Sequence, residues 1–262
     1  MRRFFGYISL YLMTCFSILS GIVIETAHFN EITKHIHSDT LIILDIDDTL
    51  LIPTQTLGTD VWFRYRMTQH EGLGLTHTQA VEKALAEWEA IRHLTQVKMV
   101  EEGSEKMIEE LQTQKFVVMG LTTQGLALAT RTIQQLQSLN IDLSKTAPSK
   151  EDDYFLNDLG VLYRQGILFT SGTHKGNALL KLLDRIGYHP KHIVFINDKA
   201  SHLIEVERAL ELRGIDFIGL RYSYSDERVN NFRPDIANFQ WKNSTFEHLL
   251  SDQDVEALLI GK

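Results

Sequence analysis

Residues 41–50 read Leu-Ile-Ile-Leu-Asp-Ile-Asp-Asp-Thr-Leu, an apolar run that ends in three carboxylates. The apolar part has the composition of a strand buried on both faces of a parallel sheet. Asp45 and Asp47 then fall at the C-terminal tip of that strand, where open α/β sheets bind their ligands. Clustered carboxylates repel each other unless a cation or a shared proton offsets their charge. The segment therefore predicts a metal-binding site at the end of a buried strand.

Two other interpretations of this segment are weaker. A calcium-binding loop of the EF-hand type needs a glycine at its sixth position and a glutamate at its twelfth. Leu50 and Thr56 stand at those positions here. A helix N-cap accounts for one aspartate but not for three. We therefore interpret the segment as catalytic rather than as a chance acidic loop.

Further polar residues stand at the ends of later apolar runs or at the start of a predicted helix. Residues 116–121 and 193–196 are apolar runs that each end in polar side chains. Between them the pattern predicts a helix that begins at Lys175 and has Gly187 as its C-cap. In chain order, the polar residues at these predicted ends are Thr122, Lys175, Asn197 and Asp198. Together with the first aspartates they predict a site built from several ends of one sheet.

Five apolar runs predict the strands of this sheet, and right-handed crossovers between them predict an α/β fold, a three-layer doubly wound parallel sheet. The runs cover residues 41–44, 116–121, 166–170, 193–196 and 215–220. With 262 residues, 44% of them hydrophobic, the chain can bury a substantial core. The net charge of −8 disfavours nucleic acid as a partner.

The chain divides into three predicted parts. These are an N-terminal segment, a core in two pieces and a small helical cap inserted over the site, at residues 1–24, 25–52 with 98–262, and 53–97. Thr76 and Gln79 have the spacing of a capping box at the start of a cap helix. Trp62 and Phe63 are expected to form the core of the cap rather than to contact a substrate.

The N-terminal segment has the order of an export signal. Arg2 and Arg3 precede 21 uncharged residues, Phe4 to Ile24. The stretch is also long enough for an uncleaved inner-membrane anchor. Cleavage would remove the single cysteine, Cys15, which suits an oxidising compartment. We expect an exported protein, periplasmic or secreted, that contacts the membrane only through this segment if the segment is retained.

On these motifs the chain resembles the haloacid dehalogenase (HAD)-like superfamily, in its phosphatase branch. The similarity covers about residues 39–224 and rests on four motifs in the right order. Residues 53–63 and 219–222 resemble, more narrowly, an exported and poorly characterised bacterial branch. The resemblance implies a HAD-like Rossmannoid core with a small cap, Mg²⁺ as the cofactor and a small phosphorylated molecule, a phosphomonoester, as the substrate.

The resemblance also implies a role for each motif residue. Asp45 would be the nucleophile that forms an aspartyl-phosphate, and Asp47 would protonate the leaving alcohol and then activate water. Thr122 would hydrogen-bond a phosphoryl oxygen, and Lys175 would neutralise charge on the phosphate and on the nucleophile. The implied magnesium ligands are the Asp45 carboxylate, the Asp47 backbone carbonyl, Asp198 and, directly or through a water, Asn197.

Two positions depart from the pattern of relatives. Asn197 and His202 stand where relatives often carry a second acid, which removes one negative charge from the metal site. Gln124 stands where close relatives often carry arginine, which weakens charge recognition of the substrate. Neither change touches the nucleophile or the acid/base pair, so we predict an active phosphatase. The alternative is a catalytically weak or inactive protein that keeps the fold for a binding or effector role. Phospho-accepting receiver domains also use clustered Asp, Thr and Lys around Mg²⁺. They are much shorter and place their phospho-acceptor on a later strand than the acid pair, so the order of motifs here argues against that class.

Overall fold

A computed structural model describes residues 21–260, within which ten strands form a sheet of eight and a separate pair. The strands are β1 (Ile22–Thr26), β2 (Thr40–Leu44), β3 (Leu51–Pro53), β4 (Val97–Met99), β5 (Val117–Thr122), β6 (Asp153–Asn157), β7 (Leu159–Arg164), β8 (Ile167–Phe169), β9 (His192–Asn197) and β10 (Asp216–Tyr222). The helices are α1 (Asp60–Gly72), α2 (His77–Leu94), α3 (Ser104–Thr113), α4 (Ala129–Ser138), α5 (Lys175–Ile186), α6 (Ala200–Glu211), α7 (Asp226–Asn230), α8 (Pro234–Asn243) and α9 (Asp252–Ile260). Two short 3-10 helices, Phe29–Lys34 and Leu126–Leu128, complete the described part.

The large sheet has the strand order β1-β10-β9-β2-β5-β8-β7-β6. Its first six strands are parallel, and β7 and β6 add an antiparallel edge. The five strands predicted from the sequence are the five neighbours β10, β9, β2, β5 and β8. The predicted fold class, an α/β protein with a mainly parallel central sheet, is confirmed.

Helices cover both faces of this sheet. In β2, Ile42 and Leu44 join an apolar cluster with α3 and α4 on one face. Leu41 and Ile43 join a second cluster with α5 and α6 on the other face. Because both faces of β2 are buried, its side chains do not alternate between apolar and polar. This placement explains the uninterrupted apolar run before Asp45.

Three strands of the sheet have no counterpart in the sequence prediction. β1 includes residues 22–24, which the sequence analysis assigned to the apolar N-terminal segment, and it pairs with β10. β6 and β7 form a hairpin whose turn residue, Asp158, has a φ of 65°. The remainder of the predicted export segment, residues 1–20 with Cys15, lies outside the described residues.

Residues 53–97 contain two helices that pack together, α1 and α2, and the antiparallel strands β3 and β4 flank them as a two-stranded stem. The predicted capping box is present, because Thr76 accepts a hydrogen bond from the Gln79 backbone and the Gln79 side chain bonds back to Thr76. Trp62 is fully buried in a separate apolar cluster of this region. The paired strands fix where the helices leave the core and return to it.

The C-terminal helices pack against the base of the cap. The Leu57 backbone donates to Gln240 of α8 at 2.9 Å, and the Thr56 backbone donates to Asp252 of α9 at 2.8 Å. α9 has Val255 as its one buried residue and exposes most of its other side chains. None of the helices within residues 21–260 is long and apolar enough to cross a membrane.

Candidate active site

A tight turn after β2 presents the acidic residues. The Asp45 backbone donates to the Ile196 carbonyl of β9 at 3.0 Å, which fixes the end of the strand. The Leu50 and Leu51 amides both donate to the Ile46 carbonyl, at 2.9 and 3.1 Å, and close the turn. Asp48 has a φ of 59°, a left-handed conformation that aspartate tolerates better than most residues. The turn leaves the predicted nucleophile at the carboxyl edge of the sheet.

Asp45 and Lys175 form a buried ion pair. The Lys175 ammonium donates to Asp45 Oδ1 at 2.6 Å and to the Leu121 carbonyl at 3.2 Å, and the lysine is 0% exposed. Burial raises the pKa of Asp45 above its ordinary value, while the Lys175 charge acts in the opposite direction. Lys175 is the first residue of α5, the predicted start of that helix. The fold therefore brings together two residues that were predicted to belong to the site and that are far apart in the sequence.

Both carboxylate oxygens of Asp47 have partners. Arg92 Nη1, from the last turn of cap helix α2, lies 2.7 Å from Asp47 Oδ1, and Gln124 Nε2 donates to Oδ2 at 2.7 Å. Arg92 is 1% exposed and also donates to Gln135 at 3.3 Å. Gln124 in turn accepts from the Thr132 hydroxyl. Asp47 is thus held between the cap and the core.

Neither partner of Asp47 was identified from the sequence. Arg92 lies in the last turn of an amphipathic helix, where a basic residue is ordinarily explained by the helix dipole. Gln124 was noted as a departure that would weaken charge recognition of the substrate. Its amide donates to Asp47, the predicted acid/base residue, and so holds that side chain in place.

Thr122 ends β5 beside these residues. Its hydroxyl accepts from the Gln124 backbone at 3.2 Å, and its carbonyl accepts from the Thr170 backbone at 3.0 Å. The Thr170 contact joins β5 to the end of β8. The hydroxyl is therefore fixed at the same sheet edge as the aspartates.

Asn197 ends β9, the neighbour of β2 on the other side from β5, and Asp198 follows it. The Asp198 backbone donates to the Thr49 hydroxyl at 3.2 Å. Burial, reinforced by the charge of Asp45, raises the pKa of Asp198 to about 8. The Asn197 amide oxygen accepts from the Lys199 backbone at 2.8 Å. Asp198 is therefore close enough to Asp45 for their charges to interact, whereas Asn197 orders its own loop.

Lys199, to which the sequence analysis gave no role, places a second positive charge in the site. Its ammonium lies 3.0 Å from Asp60 of cap helix α1. Burial opposes the charged form, but Asp60 and Asp198 raise the pKa of Lys199 above its usual range. Burial, together with the charges of Lys175 and Lys199, lowers the pKa of His202 to about 3. His202 is therefore neutral at pH 7, at the position where relatives often carry an acid.

A cavity of about 520 Å³ opens between the cap and the carboxyl edge of the sheet. Asp45, Asp47 and Thr122 line its floor, with Lys199 and His202 at one side. Its lining from the cap consists of Asp60, Phe63, Met67, Val81, Glu82, Leu85 and Trp88. Phe63 lines this cavity and also packs against the apolar cluster of the cap, as predicted for a residue of the cap core.

The oxygen atoms at this edge suit a small divalent ion. Within residues 21–260, no cluster of three or more His, Cys, Asp or Glu side chains forms a metal site. Magnesium needs fewer, because it keeps several waters and takes one or two carboxylates together with substrate oxygens. Asp45 and Asp198 are two such carboxylates, and the negative charge of Asp45 destabilises the ionised form of Asp198. A cation between them would relieve this repulsion.

Comparison with known sequences finds one family and several bacterial relatives. A family model described as "Protein of unknown function (DUF2608)" matches residues 25–256. A Chlamydia pneumoniae protein named "Putative outer membrane protein" is 27% identical over 252 residues, which cover 92% of this chain and 91% of the relative. A Chlamydia trachomatis protein of the same name is 24% identical over 254 residues, which cover 93% and 95%.

Solved HAD-like hydrolases are among the structures similar to this chain. A haloacid dehalogenase-like family hydrolase from Streptococcus pneumoniae is 15% identical, with a TM-score of 0.42 over 70% of this chain and 95% of that one. A structure titled as a phospho-aspartyl intermediate analogue of phosphoserine phosphatase is 15% identical, with a TM-score of 0.39. That match covers 75% of this chain and 100% of the other.

Proposed function

The chain belongs to the family described as "Protein of unknown function (DUF2608)", and we propose that it is a Mg²⁺-dependent phosphohydrolase. It would act on a small phosphomonoester through an aspartyl-phosphate on Asp45. The observation that carries the proposal is the buried Asp45–Lys175 pair, whose aspartate lines the same cavity as Asp47 and Thr122. Phosphoryl transfer needs a nucleophile, positive charge near the phosphoryl oxygens and a proton donor. Asp45, the Lys175 ammonium behind it and Asp47 would supply these three in turn.

In the first step, a carboxylate oxygen of Asp45 attacks phosphorus and the bond from phosphorus to the alcohol oxygen breaks. Asp47 gives a proton to the departing oxygen, so the alcohol leaves neutral. In the second step, Asp47 takes a proton from water while that water attacks the aspartyl-phosphate, which frees Asp45 and inorganic phosphate. Lys175 and Thr122 stabilise the negative charge of the phosphoryl oxygens in both steps.

Arg92 and Gln124 would position Asp47 for these proton transfers. Each lies 2.7 Å from one of its oxygens, so the alcohol or the water would exchange its proton at a remaining lone pair of one of these oxygens. Arg92 belongs to the cap, whereas Gln124 follows core strand β5. The position of the acid/base group is therefore coupled to the position of the cap.

Asp45, Asp198 and the Asp47 backbone carbonyl would hold the magnesium ion. When bound, Mg²⁺ offsets negative charge on the transferred phosphoryl group. We expect exhaustive chelation with EDTA to reduce phosphate release to background and added Mg²⁺ to restore it. Asp198→Asn should raise the Mg²⁺ concentration needed for half-maximal activity. Phosphate release that persists undiminished after chelation would rule out the metal assignment.

Asp184→Asn is the matched control for the metal experiment. Asp184 lies near the other end of α5 from Lys175, where it forms an exposed ion pair with Arg213. The change removes one carboxylate from the protein, as Asp198→Asn does, but not from the site. The Mg²⁺ dependence of this variant should match that of the wild type.

We also propose that residues 1–20 direct export, because they supply the basic start and most of the apolar stretch. The outer-membrane names of the chlamydial relatives agree with export. A periplasmic reporter fused to the full chain should be active outside the cytoplasm, and deletion of residues 2–20 should retain it inside. Since β1 begins at Ile22, this deletion leaves the sheet whole. The same cytoplasmic location for both fusions would overturn the proposal.

A further inference from the structure

The cap presents an apolar surface to the active-site cavity. Phe63 and Met67 lie one turn apart on α1, and Val81, Leu85 and Trp88 follow one face of α2. Apart from Trp88, these residues are not buried, and Leu85 is 37% exposed although it is a large apolar side chain. The cap therefore keeps this surface uncovered directly above the catalytic aspartates.

The opposite wall continues the apolar surface. Leu159, at the start of β7, also lines the cavity and is 57% exposed. It reaches the site because β6 and β7 extend the sheet beyond β8 as an antiparallel hairpin. Apolar side chains from both the cap and the core thus face one space next to Asp47.

The charged groups of the cavity do not favour a second anionic group on the substrate. Lys199 is the one lysine or arginine among the described residues that line it, and its ammonium is paired with Asp60 at 3.0 Å. Glu82 adds a further negative charge. A carboxylate or a second phosphate would meet acidic side chains without an unpaired cation. The hydroxyl groups of a sugar would lose water against apolar carbon atoms, which is costly without replacement hydrogen bonds.

We propose that the leaving group is an apolar, uncharged alcohol, so that the preferred substrates are aryl or alkyl phosphomonoesters rather than sugar phosphates or nucleotides. This inference rests on the phosphatase function proposed above. The phosphate lies on Asp45, Lys175 and Thr122, and the apolar group lies between α1, α2 and Leu159. A cavity of about 520 Å³ is within the size range of small-molecule sites.

Two phosphate esters of primary alcohols test the proposal. Because both leaving groups are primary alcohols of similar reactivity, a difference in rate reports on recognition by the cavity. The full-length protein is assayed with 2-phenylethyl phosphate and with glucose 6-phosphate in the presence of Mg²⁺. We expect kcat/KM to be at least roughly tenfold higher for the phenylethyl ester, because burial of a few apolar groups already gives discrimination of this size. Equal or higher kcat/KM for the sugar phosphate would overturn the inference and leave the phosphatase function standing.

Binding to a non-hydrolysing variant separates the two proposals. The Asp45→Asn protein is titrated with the same two esters by calorimetry, and tighter binding of 2-phenylethyl phosphate is expected. Equal affinity for the two esters would overturn the inference even if the wild type hydrolysed neither. Failure of the wild type to hydrolyse any ester would instead refute the phosphatase function.

Polar substitutions in the cap test whether its apolar surface causes the preference for an apolar leaving group. Met67→Gln keeps the length of the side chain, Leu85→Gln extends it slightly, and both add an amide to the cavity wall. Each should lower kcat/KM for 2-phenylethyl phosphate more than for glucose 6-phosphate, mainly through KM. Leu73→Gln is the matched control, since Leu73 follows α1, is 76% exposed and lies outside the cavity. If the ratio of kcat/KM for 2-phenylethyl phosphate to kcat/KM for glucose 6-phosphate is the same in both cavity variants as in the wild type, the cap surface does not bind the leaving group.

Discussion

Asp45→Asn is expected to reduce turnover by a factor of roughly 10⁴–10⁶, the range seen when a catalytic nucleophile is removed. An amide is a poor nucleophile and a poorer metal ligand than a carboxylate. The variant should neither release inorganic phosphate nor accumulate a phospho-enzyme, whichever ester is offered. Phosphate release under saturating substrate is the measurement.

The fold of this variant must be measured separately, because Asp45 is the charged partner of the buried Lys175. Asparagine keeps an oxygen that can accept from the ammonium, so we expect a folded protein with a lower thermal midpoint. Circular dichroism and a thermal unfolding curve check this. If a folded Asp45→Asn protein kept turnover close to that of the wild type, the covalent mechanism would be wrong.

Asp47→Asn is expected to lower turnover by roughly 10²–10⁴, the usual contribution of general acid–base catalysis. Aryl phosphates have good leaving groups and need less protonation, so they should still phosphorylate Asp45 in this variant. Hydrolysis of the aspartyl-phosphate should then be slow, because no carboxylate activates the water. Rapid-mixing experiments should show a burst of aryl alcohol followed by slow turnover.

Arg92→Met is the control for the Asp47 variant. It removes the ion pair between the cap and Asp47 but keeps the carboxylate that carries the proton. We expect a smaller loss of turnover and no burst, because the second step keeps its base. A burst of equal size in both variants would show that the ion pair, and not the proton transfer, accounts for the Asp47→Asn result.

The central strands were predictable because each is a short apolar run followed by polar residues. Burial on both faces removes the alternation of side chains in β2 and leaves the run itself as the signal. The edge strands lack that signal. β1 merges with the apolar N-terminal segment, and β6 has apolar residues on its exposed face, Tyr154 and Leu156, as well as Phe155 on its buried face, so its sequence shows no apolar/polar alternation. Their pairing depends on neighbouring strands that are distant in sequence.

The site was predictable where a residue's role depends on its place at a strand end. Asp45 and Asp198 directly follow central strands, and Thr122 is the last residue of one. Parallel strands bring their carboxyl ends to the same edge of the sheet. The roles of Arg92 and Lys199 depend on how the cap helices sit over the sheet, which no local pattern encodes. Helical spacing placed Phe63 in the cap core, where it packs, but did not show that the same side chain also lines the cavity.

Trapping of the phospho-enzyme tests the central claim most directly, and it also separates an active phosphatase from a protein that keeps the fold without turnover. The Asp47→Asn protein is mixed with Mg²⁺ and an aryl phosphate, quenched with acid within the first turnover, digested and analysed by mass spectrometry. We predict one added phosphoryl group on the peptide that contains Asp45, removable by hydroxylamine. No phosphoryl adduct, or an adduct on another residue, would contradict the account.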